Sequence, residues 1–168
     1  KNAKEREDLS KAINTGKIEH DRIIKILQNE DGIKFPTRND IIRYKLYQEL
    51  KNNSYKDLYT NTYIERKDLF TNKYDIEHII PQSRLFDDSF SNKTIVPRQV
   101  NLEKGNRTAY DYILEVKGEK AAEEYTQRIE HMYTQKEDGI SKAKYKKLLM
   151  KESEIGSGFI ERDLRDSQ

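Results

Sequence analysis

Two short β-forming stretches, Tyr74 to Ile80 and Thr94 to Val96, lie close together in a chain whose remaining pattern is helical. They limit the architecture to a small two-stranded element framed by helices, an α+β fold that is mostly helical. Pro97 cannot donate a ladder hydrogen bond and marks the end or edge of the second strand. Charged residues make up 37% of the chain and apolar ones 34%. The core is therefore small relative to the surface, a balance that suits helices with broad solvated faces better than a large buried sheet. At 168 residues the chain fits one ordinary domain with its own core and a helical flank.

Composition excludes several function classes. With no cysteine there is no disulfide framework and no thiolate zinc site, which fits a reducing cytosol. No apolar run approaches the roughly 20 residues of a membrane span, and no signal peptide is visible. A net charge of +2 argues against holding nucleic acid by bulk electrostatics, so any such contact is local. The chain starts at Lys1 and ends in the charged run Glu161 to Asp166, which reads as a segment of a longer protein.

Residues 3–14 and 18–30 read as two helices separated by Gly16, the second ended by Gly32. Thr37 N-caps a third helix with Asp40 at the capping-box offset, and Ile42, Leu46 and Leu50 give it one buried face. Tyr44, Tyr47, Tyr55, Tyr59 and Tyr63 read as packing rather than base-stacking residues. Turn signals fill 52–73. A helix begins near Asn101, and another follows Thr108, with Asp111 at the capping offset and Gly118 closing it. Two more helices cover 119–132 and Ser141 to Met150, and Gly156-Ser157-Gly158 reads as a hinge. His20 and His131 read as surface residues. Lys142 to Lys147 reads as a solvated basic face, with contact to a phosphate backbone as the alternative.

The chemistry concentrates in 74–106. Asp75-Ile76-Glu77-His78-Ile79-Ile80-Pro81-Gln82-Ser83 sets carboxylates beside a histidine, and Asn92, Asn101, Lys104 and Arg107 follow. Phosphodiester hydrolysis needs a base for water and a cation for developing charge. An imidazole titrates near neutral pH, so His78 can be the base. Magnesium takes oxygen ligands and only one or two protein carboxylates, so Glu77 and the Asn101 amide oxygen suit a single ion completed by water and phosphate. Adjacent side chains on a regular strand face opposite ways, so Glu77 and His78 share a site only where the pleat breaks down. Singly, His78 reads as a core or edge histidine, Asn92 and Asn101 as turn and cap residues, and Lys104 and Arg107 as a solvated helix face. Their joint arrangement carries the functional reading.

The segment DIEHIIPQSRLFDDSFSNKTIVPRQVNLEKGNRTAYDYI resembles the HNH nuclease domain of type II CRISPR effector endonucleases, and looks closest to the compact type II-C branch. Weaker similarity reaches upstream through RYKLYQELKNNSYKDLYTNTYI and downstream to GFIERDLRDSQ. The resemblance implies a ββα-metal core at 74–113, a helical lead-in at 1–73, and a helical flank and exit hinge at 114–168, together one HNH domain of a larger protein. It implies His78 as general base, Glu77 and Asn101 as ligands of Mg2+ (with Mn2+ able to substitute), and Asn92 as a site-shaping residue. Lys104 and Arg107 become nucleic-acid contacts. Many relatives place aspartate before the histidine, so Asp75 is a substitute carboxylate or an outer partner for Glu77. The implied partners are target DNA paired to guide RNA and the rest of the effector, including a RuvC-like nuclease domain. The implied isolated domain is monomeric and weakly active at best, since substrate positioning comes from the missing parts. The rival readings are a free-standing HNH homing or restriction enzyme, and a non-catalytic helical linker or binding module.

Overall fold

The computed structural model describes residues 2–155, and the Gly156-Ser157-Gly158 stretch lies outside them. The chain divides into two compact units, Lys1–Lys45 and Leu46–Gln168.

In the first unit, α1 (Ala3–Glu30) begins where the Asn2 side chain accepts the Glu5 amide proton at 2.8 Å. It is one helix, not two. A helical glycine costs about 1 kcal/mol relative to alanine, less than opening two new helix ends with their orphan backbone groups. Gly16 has open space around its Cα. The expected stop at Gly32 is present: Gly32 takes φ +68 and the Ile33 N–H reaches back to the Leu27 carbonyl at 3.1 Å, so a left-handed residue just past the helix end satisfies one of its last carbonyls. Gly16→Ala is therefore expected to stabilise the chain by about 1 kcal/mol, and Gly32→Ala to destabilise it by about 1–2 kcal/mol, measured by denaturant unfolding. A loss at Gly16 would show that the helix breaks there in solution.

Helix α2 (Arg38–Glu49) opens on the expected capping box, with Thr37 N–H donating to Asp40 (2.9 Å) and Asp40 N–H to the Thr37 hydroxyl (3.1 Å). Its buried stripe runs through Ile41, Tyr44, Leu46, Tyr47 and Leu50, one position away from the expected Ile42. Tyr44, Tyr47 and Tyr59 are buried, and Tyr55 stacks on Tyr47 with centroids 4.7 Å apart. These rings pack, as expected; Tyr63 is exposed.

The second unit contains one antiparallel pair, β1 (Tyr74–His78) and β2 (Lys93–Pro97). Pro97 ends β2 opposite Tyr74. β1 stops two residues short of Ile80, because Ile79 and Ile80 turn into the core ahead of Pro81. Helix α3 (Arg98–Lys104) packs across both strands. Helices α4 (Ala109–Lys117), α5 (Glu119–Tyr133) and α6 (Lys142–Leu148) follow, each packing on the next. Thr108 caps α4 and Ser141 caps α6 through their hydroxyls, and Gly118 turns between α4 and α5 at φ +95. His20 and His131 are exposed, as expected.

The basic run on α6 is a solvated face only in part: Lys142 is exposed and Lys146 half-buried, but the other two lysines turn inward. Lys144 and Lys147 are fully buried, the first against Glu49 (2.5 Å) and the second against Asp87 (2.6 Å) and the Ser91 hydroxyl (2.8 Å). Burying a charge is tolerable only beside an opposite charge, and both partners lie far away in sequence.

Candidate active site

α3 follows β2 directly and crosses the face of β1 on which Asp75 and Glu77 point. Two side chains one turn apart on α3 then meet two side chains two residues apart on β1. Asn101 donates its amide N–H to Asp75 (2.9 Å), and the Lys104 ammonium reaches Glu77 (3.3 Å) and the His78 carbonyl (3.3 Å). A carboxylate only accepts, so the Asn101 end facing Asp75 is the nitrogen. Its amide oxygen is thereby directed away from Asp75. Arg98 approaches the other Asp75 oxygen at 3.9 Å.

Glu77 is 4% exposed. Its second oxygen accepts the Tyr59 hydroxyl at 2.6 Å. Burial pushes the Glu77 carboxyl up and the Lys104 ammonium down from their ordinary values, each opposed by the charge of the other. Burial, reinforced by the Glu77 charge, keeps Tyr59 protonated and donating. Cross-strand from Glu77 in the register is Thr94, whose buried hydroxyl has no hydrogen-bond partner among the described residues. Lys104 is thus an interior residue, contrary to its reading as a solvated helix face.

His78 sits next to Glu77 but serves the other face. The ladder continues through both, with Glu77 opposite Thr94 and His78 opposite Lys93, so the pleat does not break between them as expected. The His78 ring is partly exposed, and its Nε2 lies 2.9 Å from an Asp88 oxygen that Lys93 also approaches at 3.3 Å. The His78 hydrogen bond, then that of Lys93, holds the Asp88 carboxyl below the usual carboxylate range. No hydrogen bond joins Glu77 to Asn101, and no group of three or more His, Asp or Glu residues forms a ready cage among the described residues.

Asn92 is fully buried and uses its whole amide to shape the loop between the strands. Its oxygen accepts the Ile80 N–H (2.8 Å) and its nitrogen donates to the Ile80 (3.0 Å) and Asp87 (2.8 Å) carbonyls. Arg107 donates to the carbonyls of Glu103 (2.7 Å) and Lys104 (3.2 Å) and lies over the Tyr112 ring.

Sequence reasoning missed Tyr59, Asp57, Asp87 and Asp88. Asp57 is fully buried and accepts the amides of Tyr59 (3.1 Å), Thr60 (2.8 Å) and Thr62 (2.9 Å), fixing the turn that delivers Tyr59 to Glu77. An aspartate followed by Thr60, Asn61 and Thr62 is a legible turn signal. Asp87 and Asp88 stand inside the DDSFSNK motif, but nothing local says which carboxylate turns inward.

Residues 57–110 match the family model described as HNH endonuclease. The chain is 36% identical to a CRISPR-associated endonuclease Cas9 of Staphylococcus aureus over 120 residues, 67% of this chain and 11% of that protein. It is 32% identical to a Cas9 of Streptococcus thermophilus over 117 residues, 66% of this chain and 10% of that protein. The chain thus spans about a tenth of the length of these relatives. Among solved structures, a Streptococcus thermophilus Cas9 in complex with the GGAA PAM superposes with a TM-score of 0.67 at 25% identity, covering 99% of this chain and 16% of that one. The type II-C Cas9 of Actinomyces naeslundii shares the fold, with a TM-score of 0.64 at 18% identity over 88% of this chain and 16% of that one. The strand-loop-strand-helix core, the family model and these relatives agree on one assignment: the chain belongs to the HNH endonuclease family, as the HNH nuclease domain of a CRISPR-associated effector of the Cas9 type.

Proposed function

We propose that this domain hydrolyses a phosphodiester of the DNA strand paired to a guide RNA, with one bound magnesium, as part of a larger effector carrying a second, RuvC-like nuclease centre. The observation that carries the reading is the crossing of α3 over β1, which gathers Asp75, Glu77, Asn101 and Lys104 on one face; His78, the last residue of that strand, faces the other way, so a phosphodiester meets both only around the strand end.

The donor set on that face fits a hard cation. It offers carboxylate and amide oxygens, an unpartnered Thr94 hydroxyl nearby, and no soft ligand. Glu77 and the Asn101 amide oxygen would hold the ion, with Asp75 orienting the amide from behind. When bound, magnesium stabilises negative charge on the phosphoryl and leaving oxygens. His78 takes the proton from the attacking water. Lys104 at present neutralises Glu77, so it reaches a phosphate only by leaving that carboxylate. Arg107 is partly exposed but spends its guanidinium on the Glu103 and Lys104 carbonyls and the Glu115 carboxylate (3.3 Å), so it would hold a flanking phosphate only by giving up Glu115.

A crystal of the chain soaked in manganese tests the ligand set: anomalous density for one ion between Glu77 and Asn101 is expected. Asn101→Ala should abolish that density and, in the parent protein, lose target-strand cleavage with little recovery at high magnesium. An ion centred on Asp75 with Glu77 turned away would overturn the ligand assignment, and undiminished cleavage by Asn101→Ala would overturn the function.

A further inference from the structure

Among the described residues the His78 ring has one hydrogen-bond partner, Asp88, and that partner is held with unusual care. Asp88 sits in the loop between the strands, at a position pinned from three sides. Asn92 donates to the carbonyl of the preceding residue, Asp87, at 2.8 Å. The Asp87 side chain takes the buried Lys147 ammonium at 2.6 Å and accepts the Ser89 amide and hydroxyl at 3.0 and 2.6 Å. Lys93, directly opposite His78 in the strand register, then draws the Asp88 carboxylate toward the ring. More than half of the Asp88 side chain is exposed, so it contributes little to the core. The loop is built to place this carboxylate rather than to bury it.

We propose that Asp88 is a positioning residue for His78: its carboxylate accepts the Nε2 proton and so fixes both the ring plane and the tautomer in which Nδ1 carries the free lone pair. This rests on the reading of His78 as general base. The Nδ1 atom has no partner among the described residues, which leaves it as the atom that takes a proton from water. That proton passes to Nδ1 as the water oxygen bonds to phosphorus; the phosphorus bond to the leaving sugar oxygen breaks, its electron pair goes with that oxygen, which is protonated by solvent, and the imidazolium keeps its Nε2–H on Asp88 until it returns the Nδ1 proton to water. Lys93 acts one step further out, by holding Asp88 against the strand. An unsupported imidazole samples both tautomers and rotates about its side-chain bonds, and only a fraction of those arrangements presents the right nitrogen.

Long-range 1H–15N correlation of the His78 ring, recorded on the 15N-labelled chain at a pH where the ring is neutral, reads the tautomer without any cleavage assay. The expected wild-type pattern is a pyridine-type Nδ1 and a pyrrole-type Nε2. In Asp88→Ala the two shifts should move toward each other, while Asp88→Asn, which still accepts through its amide oxygen, should keep most of the wild-type pattern. In the full-length parent, Asp88→Ala should slow target-strand cleavage about 10–100-fold, the scale on which loss of a ring-orienting partner acts at other sites. Target binding should stay unchanged and Asp88→Asn should recover part of the rate. Ring shifts unaltered in Asp88→Ala overturn the proposal. So does a cleavage rate within threefold of wild type for Asp88→Ala while His78→Ala is inactive. If His78→Ala itself cuts normally, the base reading has failed, and the ring spectrum alone then decides whether Asp88 orients the imidazole.

Discussion

Replacing His78 with alanine in the full-length parent is expected to slow cleavage of the guide-paired strand by ~10²–10⁴-fold, the usual cost of losing a general base. The structure makes this substitution informative. The ring lies partly exposed at the open end of β1, and among the described residues its side-chain hydrogen-bond partner is the exposed Asp88, so its removal leaves the core intact. Target binding should therefore be nearly unchanged, and the second nuclease centre should still cut the other strand. A strand-resolved single-turnover assay makes the measurement. Target-strand cutting within tenfold of wild type would remove His78 from the role of base, whatever the fate of the metal ligands.

Asp87→Ala should produce the largest loss of stability. It leaves the Lys147 ammonium, with no side-chain exposure, facing only a serine hydroxyl. Breaking a buried pair from one side typically costs about 3–5 kcal/mol, whereas replacing both partners with apolar groups of similar size is often neutral or better. Asp87→Leu combined with Lys147→Met is therefore expected to recover most of the loss in urea unfolding. A cost for Asp87→Ala below about 1 kcal/mol would mean that water reaches the pair in solution. The pH dependence has a definite sign. Burial opposes the Asp87 charge, but the Lys147 and Ser89 hydrogen bonds outweigh it and hold the carboxyl below its ordinary value. A group with a lowered folded-state pKa contributes stability that is complete above its unfolded value of about 4 and is lost as the pH falls through the folded one. The stability difference between wild type and Asp87→Asn should accordingly be full at neutral pH and shrink on acidification below about pH 4. A difference that grew on acidification would place the charge balance elsewhere.

These two positions mark where sequence reasoning succeeds and where it stops. The signals at Thr37 with Asp40, Ser141, Gly32, Gly118 and Pro97 read correctly, because each works through backbone groups within a few residues of itself; at Thr108 the hydroxyl caps Asp111 as expected, but the Thr108 amide goes to the distant Glu152 instead of back to Asp111. Gly16 misled because a weak local preference was overruled by the helix on both sides of it. The ββα order and the motif residues were legible for the same local reason, and with them the family.

The side-chain partners were not legible. Lys104, Lys144 and Lys147 look like solvated helix residues in any local window, yet all three are buried. Glu77 meets Lys104 across 27 residues and Glu49 meets Lys144 across 95. The sequence alone determined where the chain turns and where the strands and most helices start. The tertiary structure alone decided that Glu77 faces a lysine and a tyrosine, that Asn101 is oriented by Asp75, and that His78 turns to Asp88 on the opposite face. Caps and turns are fixed by hydrogen bonds within one turn of chain. A buried charge is placed only when packing brings its opposite into a space that water has left.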